Sequence, residues 1–286
     1  MHDASSSNDT VGSVSSSSQP GQTDASDQLG LGGHGGHGGL IGLMAAMPQE
    51  LQALIDLMPD ESAVRRGGRV FWRGHLHGRE VVAVLSGIGK VAASITATLL
   101  ADAFGVEQIW FTGVAGGLGA QVRVGDVVVA SSLIQHDMDA SPLFPRHELP
   151  GLGRSRLHPA PELTRQVHEG VAQALLDVHQ HVPLHALGLP QPRVHLGLIA
   201  SGDQFVASAE DGETLRNHLP DVLAVEMEGA AVAQVCDAFG LPFAVIRTIS
   251  DRADASAHLD FTRFVEQVAS PYSLAIVSAL LRAQVG

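Results

Sequence analysis

From residue 40 onward the chain falls into short apolar runs separated by polar or glycine-containing breaks. LIGLMAAM, over 40–47, is an apolar run with the length of one buried strand, and the segment from Pro48 through Met58 fits a short helix. Residues 69–74 and 80–85 alternate like paired strands around a glycine-containing turn. KVAASITATLLADAFG predicts a helix stopped by Gly105. EQIWFTG reads as a strand that opens into a small-residue loop, VAGGLG, and DVVVASSLIQ as the next strand. Residues 136–160, rich in Pro and Arg, read as an irregular excursion. A helix over PELTRQVHEGVAQALLDVHQ, an extended surface connection over 184–193 and the strand VHLGLIASGDQF follow. Then come a helix over 210–218, the strand VLAVE, the helix EGAAVAQVCDAFG, the strand PFAVIRTIS and a closing helix from about Asp260. Strands alternating with helices after an opening hairpin predict an α/β sandwich with a mixed sheet, in one domain over 40–286.

Composition bounds the rest. A chain of 286 residues with 45% hydrophobic content can bury a substantial core. Its net charge of −13 argues against nucleic acid as the main partner, because a phosphate backbone needs a basic surface. An uncharged nucleoside escapes that objection. No apolar run reaches the ~18 residues of a membrane span, and the N-terminus lacks the basic-then-apolar pattern of a secretory signal. With the single cysteine Cys236 no intrachain disulfide forms, which points to a cytoplasmic protein. Residues 1–39 are Ser-, Gly- and Asp-rich with no Lys or Arg, and are expected to be a disordered tail. His34 and His37 read as part of that appendage rather than as metal ligands.

In sheets of this class ligands bind beyond the carboxyl ends of the strands. Those ends are 47–50, 86–90, 113–117, 201–205, 226–228 and 250–251, and carboxylates stand at four of them. A lone carboxylate there is usually a helix cap, but four converging on one crevice predict an acidic site. TGVAGG and SGIGK have neither phosphate-loop spacing. Lys90, the only lysine, fits an ion pair or a solvated helix start at least as well as a phosphate anchor.

AAMPQE, SGIGKVAA, TGVAGGL with VGDVVV, SGDQF, AVEMEGAAVA and RTISDRAD occur in that order. In this the chain resembles the 5′-methylthioadenosine/S-adenosylhomocysteine nucleosidases of the purine nucleoside phosphorylase superfamily, across residues 40–286. The resemblance implies a homodimer of three-layer α/β/α subunits with a central mixed, partly barrel-like sheet, and a small adenine nucleoside as the partner. It implies that Asp251 is the general acid at adenine N7, that Glu50 activates water, and that Glu228 holds the ribose hydroxyls with Met227 packed on the sugar. Phe205 would stack on adenine, with Gln204 and Val206 beside it; Ser250 would orient Asp251, and Arg247 would lie near the water and Glu228. Met47, Ile88, Val114 and Phe261 would line the sugar and alkylthio pocket, while Glu226 is expected to be a structural acceptor at its strand end.

The chemistry stands on its own terms. Cleaving an N-ribosidic bond builds cationic character on the sugar and negative charge on the base, so an acid at the base and a second carboxylate on water answer both. No metal or cofactor is expected. Phosphorolysis is disfavoured because phosphate needs arginines at the glycine-rich turns and would meet Glu50 instead. Futalosine-type and 5′-deoxyadenosine hydrolysis remain as alternative reactions, and a non-catalytic nucleoside-binding module as an alternative class.

Overall fold

A computed structural model describes residues 39–178, 182, 184, 188–253 and 264–283. The chain divides into two units, Met1–Gly35 and Gly36–Gly286, and the described residues all belong to the second. The expected tail over 1–39, except Gly39, and Phe261 lie outside the described residues.

Strand β1 (Ile41–Ala45) runs parallel to β4 (Arg79–Leu85) on one side and β5 (Gln108–Gly117) on the other. All five β1 residues are buried because helices cover both faces of the sheet. β3 (Arg69–Leu76) pairs antiparallel with β4, and β2 (Ser62–Arg66) closes that edge. β2 was not expected from the sequence; its SAVRR is exposed throughout, so no alternation betrays it.

β5 has three neighbours. Residues 108–112 pair with β1, whereas Gly116 and Gly117 pair with β9 (Val222–Glu226). The opposite edge of β5 pairs with β10 (Phe243–Asp251). β10 pairs with β6 (Val127–Gln135), β6 with β8 (Val194–Ser201), and β8 with β9. Five strands therefore close into a ring, and β1 to β4 extend from it as an open wing. A two-residue strand β7 (Arg156–Leu157) adds to β6 from within the expected excursion. The sequence expectation of a loop at VAGGLG is corrected here: Val114 through Gly117 continue the strand. Glycine is required for a different reason. A Cβ on Gly113 would come within 2.8 Å of the Ala46 side chain, and one on Gly116 within 2.9 Å of that of Ala253.

Helices α1 (Pro48–Ile55), α3 (Pro161–Asp177) and α6 (Ser270–Ala283) pack on one face of the sheet, and α2 (Lys90–Asp102) and α5 (Gly229–Phe239) on the other. The alternation of strand residues sorts the two cores. Leu43, Val81, Ala83, Val127 and Val129 meet the first set, while Met44, Val82, Val84, Val128 and Ala130 meet the second. α4 (Ala209–His218) covers a smaller cluster with Leu198, Ala200 and Val222. A π-helical turn, Val265–Ala269, leads into α6. This is the three-layer, partly barrelled α/β architecture expected from the sequence.

Candidate active site

The carboxyl ends of the strands surround a cavity of about 470 Å³, of the size that holds a small organic ligand. Met47, Ile88, Val114, Gln204, Phe205, Val206, Glu226, Met227, Glu228, Ser250 and Asp251 all line it. Ala46, Ala115, Gly116 and Val225 line it too; the sequence placed Ala115 and Gly116 at a strand end but assigned none of the four a role. Among the described residues no Lys or Arg lines the cavity.

Asp251 owes its position to a β-bulge. In β10 Ile249 pairs with Ala115 but Asp251 with Gly116, so Ser250 is an extra residue that swings both side chains into the cavity. The Ser250 hydroxyl donates to Asp251 Oδ2 at 2.7 Å, and the Ala253 N–H donates to Oδ1 at 2.8 Å. A Cβ on Gly116 would stand 3.0 Å from Asp251 Oδ1, so the bare backbone of β5 is what lets the carboxyl sit there.

Glu50 lies in the first turn of α1, where Pro48 presets the helical φ and the helix N-terminus favours an anion. It is 1% exposed and does not itself line the described cavity, although Met47 beside it does. Its Oε2 accepts the Met47 N–H at 2.9 Å, and its Oε1 accepts the Ser273 hydroxyl of α6 at 2.6 Å. Burial pushes its carboxyl above the ordinary range, against the pull of the Ser273 and Met47 hydrogen bonds and the Arg247 charge. Ser273, 223 residues away in the chain, carries no signal in the sequence.

Two glutamates flank Met227 and do different things. Glu226 accepts hydrogen bonds from the Ser201 hydroxyl, from the Glu228 and Gly229 N–H groups, and from Arg247 Nη2 at 2.7 Å. Its two oxygens thus accept from two backbone N–H groups, a hydroxyl and a guanidinium. Arg247 hydrogen-bonds to Glu226 and to the Phe111 and Ile246 carbonyls, its guanidinium lies 4.0 Å over the Phe111 ring, and its charge acts on both Glu228 and Glu50. Glu228 faces the cavity, where the Gly89 N–H donates to its Oε1 at 2.9 Å. Burial, and then the neighbouring Glu226 charge, push its carboxyl up to about 7, against Arg247.

Of the four strand ends expected to offer carboxylates to one crevice, two line the cavity with theirs; Glu50 is buried beside the lining residue Met47, and Asp203 is the other that does not line it. It turns away and caps the start of α2. Lys90 is an ion-pair residue, 2.6 Å from Asp137, and not a phosphate anchor. Asp251, Glu228 with room to accept two hydroxyls, and the Phe205 ring thus share one cavity, with Glu50 buried next to the lining residue Met47. That set can protonate a leaving base, hold a sugar and activate water.

Residues 40–282 match the Phosphorylase superfamily. The chain is 38% identical over 241 residues to a 5′-methylthioadenosine/S-adenosylhomocysteine nucleosidase of Mycobacterium bovis, covering 79% of this chain and 90% of that one. The nucleosidase of Neisseria meningitidis in complex with methylthio-immucillin-A superposes with a TM-score of 0.74 at 33% identity, over 85% of this chain and 98% of the other. The futalosine hydrolase of Helicobacter pylori superposes with a TM-score of 0.73 at 34% identity, over 85% and 97%.

Proposed function

This chain belongs to the phosphorylase superfamily, and from that premise we propose that it hydrolyses the N-ribosidic bond of 5′-methylthioadenosine and S-adenosylhomocysteine, releasing adenine and the 5-thio-substituted ribose. The observation that carries this reading is one cavity lined by Asp251, Glu228 and Phe205, with Glu50 accepting the N–H of the lining residue Met47.

Asp251 gives its proton to adenine N7 as the C1′–N9 bond breaks. Glu50 takes a proton from the water whose oxygen bonds to C1′. Atoms and charge balance without any further reactant, and Ser250 keeps Asp251 aimed at the base. The 2′- and 3′-hydroxyls donate to Glu228, offsetting the cost of keeping that carboxylate buried. Phe205 stacks on the base, and Met47, Ile88 and Met227 pack on the sugar and its 5′ substituent. Water is favoured over phosphate as the nucleophile because no cation lines the described cavity and the buried Arg247 is held by Glu226.

The superposition with a futalosine hydrolase supports a second reading, in which a larger 5′ group is accepted. Both readings are tested together by kcat/KM on 5′-methylthioadenosine, S-adenosylhomocysteine, 5′-deoxyadenosine and futalosine-type nucleosides, with the released base identified chromatographically. The first reading expects the thioethers to lead; a clear preference for a futalosine-type substrate replaces it by the second.

As part of the same reading we place the enzyme in the cytoplasm, in methionine salvage, as a homodimer. Among the described residues no helix is long and apolar enough to cross a membrane. Ile88, just before α2, and Val91 and Ile95 in its first turns are exposed apolar residues, the kind of surface that a second subunit covers. Sedimentation at micromolar concentration checks the dimer, and a single 29.8 kDa species would rule it out.

A further inference from the structure

Between the base side and the ribose side of the cavity runs a closed polar circuit that lines neither. α2 begins at Gly89, which has no side chain to cap it. Asp203, 113 residues beyond Lys90, supplies the cap by accepting the Lys90 N–H at 2.7 Å. The Asp203 N–H in turn donates to Asp137 Oδ2 at 2.9 Å. Asp137 Oδ1 accepts Lys90 Nζ at 2.6 Å, with Gln135 Oε1 at 3.3 Å and the Asp203 carboxylate 4.0 Å from the same ammonium. Three segments remote in sequence (the end of β6, the start of α2 and the turn after β8) are tied through one lysine.

What hangs on the circuit is the cavity wall. Gln204, Phe205 and Val206 follow Asp203 directly and line the cavity, while Gly89, next to Lys90, donates its N–H to Glu228. The turn is also fixed at its start: the Gly202 N–H donates to the Glu226 carbonyl at 3.1 Å, and a Cβ on Gly202 would run into the His136 ring. Its free half is the one that Asp203 holds. An isolated surface ion pair contributes little, but the Lys90 side chain is only 17% exposed, and this circuit fixes backbone through two N–H bonds.

We propose that Lys90, Asp137 and Asp203 are positioning residues that hold the 204–206 segment, and Phe205 in particular, in register with Glu228. On this proposal nucleoside binding depends on three side chains that do not line the cavity. It rests on the nucleosidase reading given above.

Lys90→Met is the direct test. Stacking on Phe205 is made in ground and transition states alike, so its loss raises KM and spares kcat. Base–aromatic stacking corresponds to roughly tenfold or more in affinity. Lys90→Met should raise KM for 5′-methylthioadenosine about tenfold with kcat within about threefold. A double-mutant cycle separates positioning from general destabilisation. If the circuit acts through Phe205, Lys90→Met/Phe205→Ala has the KM of Phe205→Ala alone; if the two losses multiply, the proposal is wrong. Should Lys90→Met fail to fold, as judged by Tm and near-UV circular dichroism, the near-isosteric Asp137→Asn carries the same cycle. An active wild-type enzyme whose KM is unmoved by either variant overturns the circuit alone. A wild-type protein that neither binds nor cleaves the nucleoside overturns the nucleosidase reading and the circuit with it.

Discussion

Ser273→Ala isolates one hydrogen bond on the proposed water-activating carboxylate. Glu50 is buried, and its Oε1 accepts the Ser273 hydroxyl at 2.6 Å. Removing a hydrogen bond to an ionised group costs about 1.5–3 kcal/mol, which is about one to two pKa units. Burial already raises this carboxyl, and the Ser273 bond is the largest of the effects opposing that rise, so the variant raises it further. If Glu50 must be ionised to activate water, the acidic limb of the kcat/KM–pH profile moves up by about one to two units. On the acid side the rate falls about 10- to 100-fold, and above the shifted limb most of it returns. Stability follows the same sign. A carboxyl whose folded pKa lies above its unfolded value favours folding at low pH and loses that contribution as pH rises through the folded pKa. The Tm gap between wild type and variant should therefore be small at pH 4.5 and widen as the pH rises. Adenine release followed from pH 5 to 9.5 is the assay. A loss of equal size at every pH, with the limb unmoved, would show that Ser273 only packs α6 and would refute the reasoning.

Asp251→Asn should abolish adenine release while calorimetry still shows binding of a substrate analogue; near-normal turnover would remove Asp251 from the acid role. Glu228→Gln keeps an acceptor for the Gly89 N–H but abolishes an ionisation that burial opposes. The native carboxyl, raised to about 7, destabilises the fold above that pH and not below its unfolded value near 4.5. The variant should thus gain on the order of 2–3 kcal/mol at pH 8 and nothing at pH 4, read by urea unfolding at both values. Gly116→Ala places a Cβ 3.0 Å from Asp251 Oδ1. Its kcat should fall at least tenfold, and unchanged kcat would show that the carboxyl can shift freely.

Most elements were legible because the two faces of this sheet are both buried, so β1, β6, β9 and β10 appear as apolar runs of strand length. β2 was not, since an edge strand exposed on both faces has no pattern to read. The end of β5 was misread because glycines that normally mark a loop are here demanded by Ala46, Arg247 and Asp251 crowding against the strand. The placement of Asp251, Glu228 and Phe205 in one cavity was legible from where the strands end. The direction of Asp203, the partner of Arg247 and the Ser273–Glu50 bond were not. Each depends on a contact across 20 to more than 200 residues, which no local spacing encodes.

Hydrolysis at this cavity is tested most directly by incubating the protein with 5′-methylthioadenosine in phosphate-free buffer and quantifying both products. The account predicts adenine and free 5-methylthioribose in equal amounts, at a rate unchanged by added phosphate. Turnover that requires phosphate and yields a sugar 1-phosphate, or the absence of any adenine, would contradict it.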